Sequence, residues 1–286
     1  MSVLYVHGGV SGRPKAELPS LASATSVQGG AAIDLVEMAV RALEDHPSLN
    51  AGVGAVLNQA GEIELDAGIV DGSTGRCGGV ANVTVRHPIS LARRVMDETP
   101  HVLLTGAGAI AFGRDEELLE DTTRLQRERW REAHGTGTLG LQYYGDPARV
   151  DTVGAVAVDD SGNLAAGSST GGVFGKMPGR VGDAPIFGAG VYADRTVAVV
   201  GTGVGETFLV TLAAARVAQR VAGGTTPQEA CELVIAELPG LAATPIERPS
   251  AGLLAIDSRG RVGAAFRGGA WPVEGPDGPI AAVRVD

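Results

Sequence analysis

The stretch of sequence that decides the fold runs from Thr152 to Thr170 and reads TVGAVAVDDSGNLAAGSST. Its two ends, 152–158 and 164–170, consist mainly of small and β-branched residues, which suit strands. The five residues between them, DDSGN, favour a tight turn. The stretch therefore predicts a β-hairpin, and folding it about Ser161 places Thr152 opposite Thr170.

The open end of this hairpin is predicted to carry two threonine hydroxyls. Residues that face each other directly across two strands bring their Cβ atoms to about 4.5–5.5 Å on the same face of the sheet. A one-residue bulge would destroy the pairing of Thr152 with Thr170, and threonine also suits a strand for purely structural reasons. The pairing alone therefore fits a reactive pair of hydroxyls and an ordinary strand end.

The composition indicates a compact enzyme of the α/β or α+β class. Among 286 residues, 43 are glycine and only 4% are aromatic, so the backbones of neighbouring elements can approach closely. The formal net charge of −10 argues against binding to nucleic acids or anionic membranes, which depends on clustered Lys and Arg.

Targeting signals and cysteine usage lead to a further expectation. No run of residues approaches the roughly 18 apolar residues of a membrane span, and residues 1–9 do not resemble a signal peptide. We therefore expect a soluble cytoplasmic protein. Cys77 and Cys231 are expected to be structural thiols, because neither lies in a CxxC motif.

Hydrophobic periodicity and turn signals predict the remaining elements. Strands are predicted at 3–6, 53–57, 62–69, 79–85, 102–105, 197–200, 253–256 and 262–266, and helices at 31–44, 88–96, 115–131 and 206–221. A further helix is predicted after Thr226, because Thr226, Pro227 and Glu229 match a capping box with proline at the first helical position. The segment from about 134 to 151 is rich in glycine and shows no periodicity, so it is predicted to be a linker.

Two further segments offer groups suited to binding charge. Residues 201–206, GTGVGE, are predicted to form a glycine-rich turn before a helix, where unpaired backbone N–H groups can bind an anion or an oxyanion. The spacing matches neither a P-loop nor a Rossmann fingerprint, so no nucleotide site is predicted. The loop 176–183 contains Arg180 and Asp183, which match the carboxylate and the ammonium of an α-amino acid but equally suit a surface ion pair.

Together these motifs resemble the plant-type asparaginase and isoaspartyl peptidase family, and the resemblance covers most of the chain. It is carried by DTVGAVA at 151–157, STGG at 169–172, PGRVGD at 178–183, HGG at 7–9 and LDA at 65–67. It implies an α+β fold, the four-layer αββα sandwich of the N-terminal-nucleophile (Ntn) hydrolases, in a single domain spanning residues 1–286. It also implies self-cleavage between Asp151 and Thr152, which gives an α chain 1–151 and a β chain 152–286.

The same resemblance implies roles for individual residues. Thr152 is the expected catalytic nucleophile, and its freed α-amine is the base that activates its own hydroxyl. Thr170 would hydrogen-bond the nucleophile, and Thr202 with the backbone N–H of Gly203 would form the oxyanion hole. The residues assigned to substrate binding are Arg180, Asp183, Thr202, Gly203, Gly205 and Asn50. A structural sodium ion is implied at the carbonyl oxygens of Leu43, Glu44, His46, Leu49, Ala51 and Val53, and no cofactor is expected for catalysis.

The activity implied by the resemblance is hydrolysis of the side-chain amide of L-asparagine, or of β-aspartyl dipeptides, to release L-aspartate. The enzyme would be a homodimer of αβ units. Two alternatives remain open: a glycosylasparaginase-like amidase, which shares the Asp-Thr junction, Arg180 and Asp183, and an unprocessed, non-catalytic relative that acts as a binding protein. A serine-hydrolase triad is not predicted, because the five histidines show no Ser/His/Asp order. Val204 stands where relatives often have a polar residue, which leaves the preferred leaving group open.

Overall fold

A computed structural model describes residues 2–11, 15–27, 29–140, 152–241 and 250–286. Within these ranges the strands are β1 (Val3–His7), β2 (Leu65–Asp71), β3 (Arg76–Val83), β4 (Leu103–Thr105), β5 (Val153–Val158), β6 (Leu164–Thr170), β7 (Val191–Ala193), β8 (Val197–Gly203), β9 (Ala251–Asp257), β10 (Val262–Arg267), β11 (Val273–Gly275), β12 (Gly278–Pro279) and β13 (Val283–Arg284). The helices are α1 (Ala22–Thr25), α2 (Ala32–Glu44), α3 (Pro88–Glu98), α4 (Gly106–Phe112), α5 (Arg124–Gly135), α6 (Gly205–Thr211), α7 (Ala213–Ala222) and α8 (Pro227–Leu241). Short 3-10 turns lie at Lys15–Glu17 and Gly52–Gly54.

The strands form two sheets. The larger sheet has the order β12-β11-β1-β5-β6-β2-β3-β4, and the smaller has the order β13-β10-β9-β8-β7. Neighbouring strands run antiparallel except in the parallel pairs β3–β4 and β10–β13. The β5–β6 hairpin lies inside the larger sheet, so β1 and β2 pair with its two outer edges.

Side-chain alternation along the strands explains why the two sheets stack face to face with helices outside. In β5, Val153 and Ala155 pack in the core beneath α2, whereas Val156 and Val158 pack between the sheets. The outer face of the smaller sheet packs against α7 and α8. The result is a four-layer αββα sandwich, which confirms the predicted α+β fold class. Among the described residues, no helix is long and apolar enough to cross a membrane.

The predicted register of the hairpin is confirmed. From the pair formed by Val153 and Ser169 to the turn, every pair follows the predicted pairing without a bulge. Extending this ladder by one residue places Thr152 opposite Thr170. On its other side Thr170 pairs with Asp66 of β2. The row formed by Thr152, Thr170 and Asp66 therefore lies at one end of the larger sheet.

Two predicted elements of the first half differ most from the structure, and the helices α1 and α4 were not predicted. Residues 53–57 were expected to form a strand, but Gly52, with φ +49°, starts a 3-10 turn there. The helix expected at 115–131 begins only at Arg124, where Thr123 Oγ1 accepts the N–H of Gln126 at 3.3 Å and caps the helix. It continues to Gly135, so the linker expected from about 134 begins after a helix end.

The rest of that predicted linker lies only partly within the described residues. Residues 136–140 form turns and irregular structure, whereas 141–151, including Asp151, lie outside the described ranges.

Two predicted elements of the second half differ as well, and the short strands β7, β11, β12 and β13 were not predicted. The helix expected at 206–221 is divided into α6 and α7 by Leu212, whose left-handed conformation, φ +52°, breaks the run of helical hydrogen bonds. The glycine-rich turn expected at 201–206 is shorter, because residues 201–203 belong to β8 and pair with β9. Only Val204 separates this strand from α6.

Candidate active site

Three threonines from different strands converge at one end of the sandwich. Thr152 directly precedes β5, Thr170 ends β6, and Thr202 lies near the end of β8. Each has the same strand parity as residues that pack between the sheets, so the three side chains point into the space between the sheets. Thr152 and Thr170 are 5% and 3% exposed, and Thr202 is fully buried. The end of a hairpin in one sheet thereby meets the end of a strand in the other.

A small cavity of about 10 Å³ marks this meeting point. A volume of this size holds about one water molecule. It is lined by Thr152, Thr170, Gly172, Val173, Arg180, Gly182, Asp183, Gly203 and Gly205. Six of the residues that the resemblance assigned to the site are therefore brought together from three separate stretches of sequence.

Two residues that the resemblance assigned to the site do not line the cavity, and three residues that line it were not assigned. Thr202 directly precedes the lining residue Gly203, and Asn50 contacts the lining residue Gly172. The residues that were missed are Gly172, Val173 and Gly182. Gly172 and Gly182 lie inside the motifs STGG and PGRVGD, and Val173 directly follows the first of these motifs, but no role was assigned to the three residues.

Asn50 fixes the turn that follows Thr170. Its Nδ2 donates to the carbonyl of Gly172 at 2.7 Å, and its Oδ1 accepts from the N–H of Val56 at 3.0 Å. The N–H of Gly172 donates to Thr170 Oγ1 at 3.0 Å, so this hydroxyl accepts locally and can still donate its proton towards Thr152. Both ends of the Asn50 amide thus bind backbone groups, and its contact with substrate stays a prediction.

Arg180 forms its ion pair with Glu206 of α6. Its Nε and Nη2 donate to the two carboxylate oxygens of Glu206 at 3.0 and 2.9 Å, in a bidentate arrangement. This partner was missed in the sequence, where Asp183 was the acid considered for an ion pair. Asp183 is buried beside the same guanidinium, and a Cβ atom on Gly205 would lie 2.8 Å from Arg180 Nη2 and 2.9 Å from Asp183 Oδ1. Gly205 therefore allows the two charged groups to approach α6 closely.

Thr202 and Gly203 place polar groups of the smaller sheet at the cavity. Gly203 adopts φ +130°, and a Cβ atom there would lie 2.2 Å from the carbonyl oxygen of Ser250, so only glycine suits this backbone. Within the described residues, Thr202 Oγ1 has no hydrogen-bond partner. A buried hydroxyl in this state costs about 1–3 kcal/mol. It is therefore poised to donate to a ligand oxygen.

The arrangement supplies the groups that acyl transfer at a carbonyl requires. Two threonine hydroxyls lie side by side on one sheet, and a third faces them from the other sheet. A guanidinium and a carboxylate line the same cavity. In the part of the chain that the structure describes, no group of three or more His, Cys, Asp or Glu side chains is arranged to hold a metal ion.

The fold and site together define an amidohydrolase built as a four-layer αββα sandwich. The family model for Asparaginase matches residues 19–271, and the chain belongs to this asparaginase family.

Individual relatives agree with this assignment. The chain is 40% identical to "Isoaspartyl peptidase" of Salmonella typhimurium, over 93% of this chain and 92% of that protein. It is 39% identical to "Plant-type L-asparaginase" of Pyrococcus abyssi, over 92% of each chain. It is also 39% identical to the human "Isoaspartyl peptidase/L-asparaginase", over 81% of this chain and 80% of the human protein.

Proposed function

We propose that this protein is a self-processing amidohydrolase that cleaves the side-chain amide of L-asparagine, or the isopeptide bond of β-aspartyl dipeptides, and releases L-aspartate. The observation that carries the proposal is the cavity in which Thr152 and Thr170 meet Gly203, Arg180 and Asp183. The names of the relatives, isoaspartyl peptidase and plant-type L-asparaginase, support these two substrate classes.

We propose that the single domain 1–286 breaks between Asp151 and Thr152 into chains 1–151 and 152–286. The new α-amine of Thr152, with a pKa of about 7.7–8.0 in an unperturbed chain, would then accept the proton of the threonine hydroxyl. A cavity of about 10 Å³ is too small for an asparagine, so we propose that substrate enters after this cleavage.

In the proposed turnover the Thr152 hydroxyl attacks the amide carbonyl while Thr170 donates a hydrogen bond to it. The Thr202 hydroxyl and the Gly203 N–H stabilise the oxyanion, and each such donor lowers the barrier by about 3–4 kcal/mol. Arg180 and Asp183 hold the α-carboxylate and the α-ammonium of the substrate. The amine departs with a proton, an aspartyl ester forms on Thr152, and water hydrolyses this ester to aspartate.

Replacement of the nucleophile tests the proposal. Thr152→Ala removes the hydroxyl, and we expect both self-cleavage and hydrolysis to disappear. Denaturing mass spectrometry should find only the intact 29.0 kDa chain of this variant, against two fragments for the wild type after incubation. The substrates to compare are asparagine, a β-aspartyl dipeptide and glycosylasparagine.

Thr74→Ala is the matched control, because Thr74 is exposed in the β2–β3 turn. It should process and hydrolyse as the wild type does. Hydrolysis that survives in Thr152→Ala, or a wild type that stays intact and inactive, would rule out the assignment of the nucleophile.

The sodium ion is a separate proposal, supported by backbone geometry. A Cβ atom on Gly54 would lie 2.1 Å from the carbonyl oxygen of Leu49 and 3.1 Å from that of His46, and one on Gly52 would lie 2.3 Å from that of Glu44. Carbonyl oxygens thus converge on two glycines, and hard cations prefer oxygen ligands. The ion would be structural and would take no part in the reaction.

Measuring the Tm of the protein in different salts tests whether it binds sodium. We expect a higher Tm in sodium chloride than in choline chloride at equal ionic strength, because an ion that binds only the folded state stabilises it by mass action. Equal Tm values at all salt concentrations would contradict sodium binding.

We also propose, from the family resemblance, that two αβ units associate as a homodimer and that the enzyme works in the cytoplasm. Light scattering of the processed protein tests the assembly, and fractionation of the native host tests the location.

A further inference from the structure

Lys176 is a completely buried lysine next to the site. Its side chain is 0% exposed, its Nζ donates to the carbonyl of Glu64 at 2.8 Å, and the same Nζ lies 3.9 Å from Glu64 Oε2. The chain contains only one other lysine, Lys15, so arginine supplies nearly all of its basic residues. A compact ammonium on a flexible stem fits a narrow buried space that a planar guanidinium does not.

Two carboxylates near Lys176 hold the loop that carries Arg180. The N–H of Gly179 donates to Glu64 Oε1 at 2.8 Å, and the N–H of Gly182 donates to Asp66 Oδ2 at 3.3 Å. Arg180 lies between these two attachment points. The conformation of the loop therefore depends on Glu64, which directly precedes β2, and on Asp66, the second residue of β2.

Asp66 also links this loop to the row of threonines. It is fully buried, its Oδ1 accepts from the N–H of Asn82 at 2.9 Å, and it pairs with Thr170 across the β2–β6 ladder. Lys176 contacts the turn after Thr170, since a Cβ atom on Gly172 would lie 2.9 Å from both Cδ and Nζ of Lys176. The buried ammonium of Lys176 thus lies near both the turn after Thr170 and the acids that hold the loop with Arg180.

The carboxylates of Glu64 and Asp66 need the ammonium of Lys176 to balance their negative charge. Burying a carboxylate without a cationic partner is strongly unfavourable, even when the carboxylate accepts hydrogen bonds. Burial raises the pKa of Asp66, and the positive charges of Lys176 and Arg180 oppose that rise. Burial likewise lowers the pKa of Lys176, and the carboxylates of Asp66 and Glu64 oppose that change.

We propose that Lys176 is a positioning residue for catalysis: as the buried counter-ion of Glu64 and Asp66, it keeps both carboxylates in place to hold the loop with Arg180 and Asp183 against the cavity. Lys176 itself does not touch the substrate. The inference rests on the proposed function for its kinetic consequence, but the ion-pair network has a consequence for stability that is independent of the reaction.

The kinetic test compares Lys176→Met, Glu64→Gln and the double variant, with concentrations normalised to the processed β chain. Methionine keeps the length of the stem and removes the charge. We expect KM for the substrate that the wild type hydrolyses to rise about tenfold in Lys176→Met, with kcat within about threefold, because binding of the substrate α-groups is weakened. In the double variant, the neutral amide that replaces the Glu64 carboxylate keeps an acceptor oxygen for the N–H of Gly179 and removes one of the two unbalanced charges, so KM should fall at least about threefold below that of Lys176→Met.

The stability test uses the same variants in the Thr152→Ala background, where processing does not complicate the measurement. Lys176→Met should have a lower Tm than the double variant. Ile235→Ala, a cavity-forming change in the buried face of α8, is the control: it should lower Tm in this background and leave KM unchanged in the active enzyme.

The outcomes separate this inference from the proposed function. An active wild type with unchanged KM in Lys176→Met, or a double variant that recovers neither KM nor Tm, would overturn the role of Lys176. An inactive wild type would overturn the proposed function, while the comparison of Tm values would still decide whether Lys176 is the counter-ion.

Discussion

Arg180 shows how a single side chain depends on neighbours that are distant in sequence. Its side chain is 12% exposed, and two of its guanidinium nitrogens bind the carboxylate of Glu206. In the proposed function, the substrate carboxylate therefore approaches a guanidinium whose orientation Glu206 already fixes. Bidentate geometry fixes the plane of a guanidinium, which is more than a single charge contact achieves.

Replacing Glu206 with glutamine tests this orientation. Glutamine keeps one acceptor oxygen but loses the charge and one of the two hydrogen bonds, so Arg180 should turn away from its binding position. We expect KM to rise on the order of tenfold, which corresponds to about 1.4 kcal/mol, with little change in kcat.

A second arginine–glutamate pair serves as the control for that substitution. Glu237 bonds to Arg220 on the outer helices, so Glu237→Gln should leave KM unchanged. If Glu206→Gln instead lowers KM, then Glu206 competes with the substrate for Arg180 and does not position it.

At the scale of elements, the hairpin could be predicted because its information is local. The turn residues DDSGN fix the centre of the fold-back, and the side-chain alternation of two short strands then fixes which residues face each other. The break between α6 and α7 could not be predicted in this way. Leu212 adopts a left-handed conformation without a glycine or proline signal, so the break reflects packing of α7 against the sheet rather than local preference.

The site was predictable to different degrees for a related reason. The family motifs place Thr152, Thr170, Arg180 and Asp183, and the structure brings these residues together. The partners that hold Arg180 were not predicted, because Glu206 is 26 residues away and the acids that anchor its loop lie more than 110 residues away. Such pairs become visible only when the chain is folded.

Gly203 offers a test of how the end of β8 shapes the site. Gly203→Ala would bring a Cβ atom to 2.2 Å from the carbonyl oxygen of Ser250, which accepts the N–H of Val204 at 2.9 Å. The strand end must shift, so backbone strain and overpacking together should remove about 3–4 kcal/mol of unfolding free energy, and we expect a large fall in kcat. Urea denaturation and steady-state kinetics measure the two effects.

Gly260 provides the control for that test, because it also has a positive φ but has open space around it. Gly260 adopts φ +77°, and a Cβ atom there would meet no atom within 4 Å. Gly260→Ala should therefore cost only about 1–2 kcal/mol, from backbone strain alone, and leave kcat unchanged. Equal changes in kcat for the two variants would show that the contact with Ser250 is unimportant.

For the whole molecule, the stacking of the two sheets has a consequence for stability in acid. His7 ends β1 and is fully buried beside Trp271, with ring centroids 5.5 Å apart. Within the described residues neither ring nitrogen of His7 has a hydrogen-bond partner, and burial lowers the pKa of His7 to about 3. The imidazole is thus neutral in the folded protein over most of the acidic range.

The sign of the effect follows from proton binding. An unfolded chain binds a proton at His7 near pH 6.5, whereas the folded protein does so only near pH 3, so acid favours unfolding between these values. Each pH unit below 6.5 should remove about 1.4 kcal/mol, or about 2 kcal/mol in total at pH 5. Burial raises the pKa of Glu44 and Asp66, and these carboxyls contribute slopes of the opposite sign. The total slope is therefore a sum of opposing contributions.

A comparison of variants isolates the contribution of His7 from that sum. In the Thr152→Ala background, urea denaturation between pH 5 and 7 should show a smaller loss of stability towards low pH in His7→Leu than in the parent. The difference in slope is the quantity to measure, because leucine also changes the packing beside Trp271 by an amount that does not depend on pH. His101 is exposed, so His101→Gln should keep the slope of the parent. If the His7→Leu slope equals that of the parent, the buried imidazole is not what destabilises the stacked sheets in acid.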